Sequence, residues 1–161
     1  MANVFPVTDP SSGVYPLTTA IPGFSLLGKK ALVTGGSRGI GRACALMLAY
    51  AGADVAVSSS PSGLESAEGV RREIEKIGRE ARAYAFDVGV RGDVETTCLR
   101  ITEDFENIDI LVNNAGVTRD RSFKKMDRGA WDEVINTNLS SVFEVTHFFV
   151  DSMAARGWGR I

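Results

Sequence analysis

Residues 34–41 read Thr-Gly-Gly-Ser-Arg-Gly-Ile-Gly (TGGSRGIG) and join a short apolar run, KKALV, to a run with helical spacing, GRACALMLAYAG. A helix N-terminus that follows such a turn offers unpaired N–H groups and the positive end of the helix dipole, a pairing that suits a pyrophosphate. Side chains at Gly35 and Gly41 would hold phosphates away, so the stretch reads as a phosphate cradle. The spacing is G-x-x-x-G-x-G, through Gly35, Gly39 and Gly41.

Working outward, short apolar runs alternate with longer amphipathic ones. The pattern predicts strands over Lys29–Thr34, Asp54–Ser58, Ala81–Val88 and Ile108–Asn114. Helices are predicted after the glycine turn up to Gly52, from Ser60-Pro61 to Gly78, over RGDVETTCLRITEDFENI, and from about Asp127 to Arg156. Strands separated by helices pair in parallel through right-handed crossovers. The expected fold is therefore α/β: the front half of a Rossmann-type doubly wound parallel sheet, strand order 3-2-1-4, in three α/β/α layers. Ligands bind such sheets beyond the strand C-termini where the strand order reverses, which is where the glycine turn falls.

Residues 1–26 carry prolines at 6, 10, 16 and 22 amid Ser, Thr and Gly, and read as a flexible tail before a domain over 27–161. At 161 residues, 44% hydrophobic and 24% charged, with a net charge of -2, the chain has no basic excess for nucleic acid or an anionic membrane. No apolar run reaches the roughly 18 residues of a membrane span, and no leader pattern is visible, so a cytoplasmic protein is expected. Cys44 and Cys98 read as buried reduced thiols. His147 is the single histidine and reads as a helix-packing residue; no metal site is expected. Glu103, Asp104 and Glu106 read as a solvated helix face. Trp131, Val134, Ile135, Leu139, Val142, Phe143 and Val145 form a broad apolar surface, part of which must cover the sheet.

With its leading threonine, TGGSRGIG resembles the T-G-x-x-x-G-I-G motif of the short-chain dehydrogenase/reductase family. Three further matches follow in family order: FDV with Asp87 and Val88, NNAG over 113–116, and INTNLSSVF with Asn138. The resemblance covers about Leu27 to Ile161. It implies that Thr34, Gly35, Ser37, Arg38, Gly39, Ile40 and Gly41 form the cofactor cradle. Asp87 and Val88 would hold the adenine, Asn114, Ala115 and Gly116 would end the fourth strand beside the cofactor, and Asn138 would be the active-site asparagine.

The second predicted strand ends in VSSSPS, with no acid to bind the ribose hydroxyls of NAD. Ser58 and Ser59 can donate to a 2′-phosphate and Arg38 can supply charge, which predicts NADP(H). A plainer alternative has Arg38 solvated and the serines capping a helix.

The family's proton-donating tyrosine has a lysine four residues later, and a serine holds the carbonyl. Tyr15, Tyr50 and Tyr84 have no such lysine, so the 161-residue chain alone is expected to be inactive and its parent to be the reductase. The sequences 113–126, 136–143 and 156–161 resemble 3-oxoacyl thioester reductases, acting on acetoacetyl-CoA or on 3-oxoacyl carrier protein. Arg119, Arg121, Lys124 and Lys125 could face the acidic carrier or the coenzyme phosphates, or simply be solvated. A sugar, polyol or other carbonyl reductase is one alternative; a non-catalytic nucleotide-binding or oligomerising fragment is another. The resemblance implies a homodimer or homotetramer through the last long helix. The fourth strand is expected to keep an open outer edge that invites aggregation.

Overall fold

The computed structural model describes residues 25–161; of the tail expected over residues 1–26, residues 1–24 lie outside them. Leu26 is already anchored, its N–H donating to the Ala51 carbonyl at 2.8 Å. Strands β1 (Lys30–Val33), β2 (Asp54–Ser59), β3 (Ala81–Ala85) and β4 (Ile110–Val112) pair in parallel in the order β3-β2-β1-β4. This is the 3-2-1-4 order read from the alternation of elements. Both β1 and β2 read as nearly unbroken apolar runs because helices cover both of their faces.

Helices α1 (Gly39–Tyr50) and α2 (Leu64–Lys76) cover one face, and α3 (Arg91–Phe105) and α5 (Ser141–Ala155) cover the other. Between α3 and α5 lies the short α4 (Arg128–Ile135). The two cores differ in grain. Helix α1 buries only Gly41, Ala45 and Ala49, so its backbone lies close to the sheet. On the other face Phe105, Phe149, Ile101 and Met153 fill a wider gap.

Several boundaries move. Lys76 ends α2, two residues before Gly78, and a 3-10 turn, Pro61–Gly63, precedes it. At β4, ladder pairing covers only Ile110–Val112, with one further backbone bond before it from Asp109 N–H to Lys30 O at 2.8 Å, and Asn114 beyond it bonds the first loop through its side chain. The long last helix is one run of three parts. Between α4 and α5 the backbone widens into a π turn over Asn136–Ser140. Beyond it, Ser141, Val145, Phe149 and Met153 are buried at every fourth position. Of the apolar surface expected on this helix only Val145 enters the core; Trp131, Leu139, Val142 and Phe143 stay exposed.

His147 is exposed rather than packed inside, stacking on Phe143 with 5.4 Å between ring centroids. Cys98 is buried, and burial pushes its thiol up to about 12, whereas Cys44 is only half-buried. Asp104 is not merely solvated: it accepts from the Tyr84 hydroxyl at 2.7 Å and from Arg82 at 2.9 Å.

The outer edge of β4 is less open than expected. Gly157, at φ +68°, turns the chain out of α5. Trp158 then packs under the Lys29 ammonium, 3.9 Å from its ring centroid. The Arg160 N–H donates to Asp109 O at 3.0 Å and Leu111 N–H donates to Arg160 O at 2.9 Å, so backbone pairing has already begun there. No helix among the described residues is long and apolar enough to cross a membrane.

Candidate functional site

Three loops meet beyond the C-terminal ends of β1 and β4. Their centre is Thr34, which is 2% exposed. Its hydroxyl donates to Val112 O (3.3 Å) and accepts from the N–H groups of Asn114 (3.0 Å) and Ala115 (3.1 Å). The Asn114 amide answers, donating to Thr34 O at 3.0 Å and to Gly35 O at 3.1 Å. The two loops are buckled together by side chains from each. The Thr34 hydroxyl and the Asn114 amide nitrogen are both spent on this joint, and they set the shape of the cradle.

That closeness explains two glycines. A Cβ on Gly41 would lie 2.4 Å from both Asn114 Nδ2 and Gly35 O, and one on Gly35 would lie 2.9 Å from Ala115 Cα. Gly35 also sits at φ +64°. Gly36 carries a constraint that the motif reading left out: its Cβ would meet Val57 Cγ1 at 2.8 Å.

Helix α1 starts at Gly39 with no side-chain cap and no acid in its first turn, so neither offsets the positive end of its dipole. Ile40 is exposed there, and Arg38, also exposed, makes no ion pair among the described residues. A charged, unpaired arginine beside an uncapped helix start suits an anion.

The serines divide. Around Gly63 a Cβ would lie 3.3 Å from Ser59 Oγ and 3.4 Å from Ser37 Oγ, so these two hydroxyls share one patch near Arg38 in the chain. Ser58 lies on the opposite face of β2, following Ala56 by strand alternation. It is 1% exposed, and its Oγ is buried with no partner. Only Ser59 of the pair is grouped with Ser37.

At the end of β3, Asp87 is exposed and its Oδ1 accepts from Gly89 N–H at 2.8 Å, fixing the turn into α3. Val88 turns into the core at 8% exposure. Beyond β4, Asn138 lies in the π turn. Its amide makes a reciprocal pair with Val117, accepting from its N–H at 2.8 Å and donating to its carbonyl at 2.9 Å. A Cβ on Gly116 would come within 3.3 Å of Asn138 Oδ1. The widened turn thus clamps the loop after β4 through the Asn138 amide. Asn113, adjacent in NNAG, donates to Thr146 Oγ1 at 3.0 Å and ties the same loop to α5. The sequence signal for it was a second asparagine after an apolar strand.

The residues present fit a phosphorylated dinucleotide: a Cβ at Gly39, where the helix begins, would stand in open space, the helix start is uncapped, and β2 ends in hydroxyls rather than a carboxylate.

Comparisons with known proteins bear on this arrangement. The model of the short chain dehydrogenase family matches residues 29–161. An acetoacetyl-CoA reductase of Allochromatium vinosum is 44% identical over 131 residues, 81% of this chain and 53% of that protein. The 3-oxoacyl-[acyl-carrier-protein] reductase FabG of Staphylococcus aureus is 45% identical over 115 residues, 71% of this chain and 46% of that protein. A short chain dehydrogenase from Burkholderia cenocepacia, solved in complex with NADP, superposes with a TM-score of 0.75 at 41% identity, covering 78% of this chain and 51% of that one. The chain spans about half the length of the curated relatives it matches.

Proposed function

Because the chain belongs to the short-chain dehydrogenase family, we propose that it forms the cofactor-binding half of an NADPH-dependent reductase of 3-oxoacyl thioesters, with acetoacetyl-CoA or a 3-oxoacyl carrier protein as substrate. The observation that carries the NADP part is the acid-free end of β2, whose Ser59 shares a patch with Ser37, the residue before an unpaired Arg38 at the uncapped start of α1. The substrate class rests on the acetoacetyl-CoA and 3-oxoacyl-carrier-protein reductases among the relatives. Bound NADPH would supply the hydride. This chain's own residues would bind and orient it: Gly35, Gly39, Ile40 and Gly41 around the pyrophosphate, Arg38, Ser37 and Ser59 at the 2′-phosphate, and Asp87 and Val88 beside the adenine. Ala115 and Gly116 would form the wall nearest the nicotinamide, with Asn138 holding that wall through Val117.

Direct titration of the 161-residue chain with NADPH and NADH tests the reading. Wild-type chain is expected to prefer NADPH. Arg38→Ala is expected to lose about 10-fold to 100-fold in NADPH affinity, equivalent to one charge-assisted contact, while NADH binding stays within about 2-fold. Equal losses for both cofactors would place Arg38 away from the 2′-phosphate. The same preparation is expected to show no acetoacetyl-CoA-dependent NADPH oxidation, since none of its tyrosines has a lysine four residues on.

The exposed Trp131, Leu139, Val142 and Phe143 support a homodimer or homotetramer built on the last helix. In sedimentation velocity, Phe143→Asp is expected to shift the wild-type assembly to monomer. A wild-type chain that is monomeric at all concentrations would remove this part of the proposal.

A further inference from the structure

The loop from Thr118 to Asp127 carries four cations, and the structure sorts them. Arg119 is held by Glu133, with Nε donating to Oε2 at 2.7 Å. Arg121 is paired with Asp127 at 3.1 Å, and Arg128, just beyond, with Asp132 at 2.8 Å. Lys124 and Lys125 make no ion pair among the described residues. They follow Phe123 in a 3-10 turn, Phe123–Lys125, closed by Lys125 N–H to Ser122 O at 2.8 Å. Phe123 is 91% exposed, the most exposed large apolar side chain among the described residues. The turn therefore offers one bare aromatic face and two free ammonium groups. It follows the clamped Val117 by six residues, which holds it within about 20 Å of the cleft.

We propose that this turn anchors the phosphorylated adenosine end of a coenzyme A thioester, with Phe123 stacking on the adenine and Lys124 and Lys125 meeting the phosphates. The inference rests on the thioester reading above and names where that substrate is held. An aromatic ring stacks on any base, and lysine meets phosphate as a point charge. The charge pattern fits a small phosphorylated ligand better than an acidic protein. A protein partner would cover about 800 Å², and the arginines nearest in the chain, Arg119, Arg121 and Arg128, are already neutralised by Glu133, Asp127 and Asp132.

Calorimetric titration of the full 161-residue chain with coenzyme A, under saturating NADP⁺ so that the dinucleotide cradle is filled, tests this. Pantetheine is the comparison ligand. Coenzyme A is expected to bind more tightly than pantetheine. The double variant Lys124→Ala/Lys125→Ala is expected to weaken coenzyme A about 10-fold to 100-fold, and Phe123→Ala about 10-fold, while Phe123→Trp retains binding. NADP⁺ affinity, measured on each variant, is expected to stay at the wild-type value and reports that the chain is folded. The proposal is overturned if coenzyme A binds no better than pantetheine, or if the lysine variant binds it as wild type does. It is also overturned if an acidic carrier protein responds to these variants and coenzyme A does not. Loss of NADP⁺ binding by wild-type chain with the coenzyme A effects intact would sink the dinucleotide reading and leave this one standing.

Discussion

Gly41→Ala is expected to lower NADPH affinity by about 100-fold, equivalent to about 3 kcal/mol, in a chain that still folds. Two effects compete. Alanine is the better helix former by about 1 kcal/mol, and Gly41 lies in the first turn of α1, so propensity alone favours the substitution. Against it stands a Cβ 2.4 Å from the Gly35 carbonyl and 2.4 Å from the Asn114 amide. The first is backbone and cannot rotate away. The second is locked by its bonds to Thr34 O and Gly35 O. The glycine loop must shift, and overpacking of this kind costs about 1–3 kcal/mol. The clash therefore wins, and the N–H groups aimed at the pyrophosphate lose their alignment. Fluorescence titration with NADPH, paired with a thermal melt, checks the result. An alanine variant that binds NADPH like wild type would show that the close approach between the loops is not needed for binding.

Asn114→Ala is expected to destabilise the chain by about 2–3 kcal/mol, because the carbonyls of buried Thr34 and half-buried Gly35 lose their donor. For a domain of this size that amounts to a fall of about 5–10 °C in Tm. Asn114→Asp is expected to be worse, although it preserves the shape. It replaces a donating amide with a carboxylate that faces the oxygens of Thr34 and Gly35. Melting the two variants side by side separates packing from hydrogen bonding: if Asp proves milder than Ala, the amide contacts are not what joins these loops.

Much of the architecture was legible because it depends on local patterns. Unbroken apolar runs such as KALV can be satisfied only between two helical layers, and the helices between them dictate parallel pairing. The cradle was legible for the same reason, since its glycines are spaced by the backbone they must form. What escaped was long-range pairing of polar groups. Thr34 and Asn114 stand 80 positions apart, and nothing local tells a hydroxyl that binds a ligand from one that binds the next loop. Ser58 and Ser59 look alike in sequence, yet strand alternation sends their side chains to opposite faces. The same limit applied to His147 and Cys44: helical spacing gave them a face but not what lay opposite. Arg160 was read as the end of a motif, and its backbone turned out to pair with β4.

The π turn at Asn136–Ser140 also makes the last helix an object with two phases. An α-helix advances about 100° per residue, so one extra residue in a turn offsets everything after it by that angle. The stripe of α4 and the stripe of α5 are thus written on two different angular scales, and a single wheel drawn from Arg128 to Ala155 blends them. That is why Trp131 and Val145 seem to share a face in sequence when one is half exposed and the other is in the core. In an unbroken helix Asn138, seven residues before Val145, would share the stripe that faces the sheet; the offset turns it out of that stripe, so one continuous rod holds the sheet along α5 and reaches the Val117 loop through Asn138.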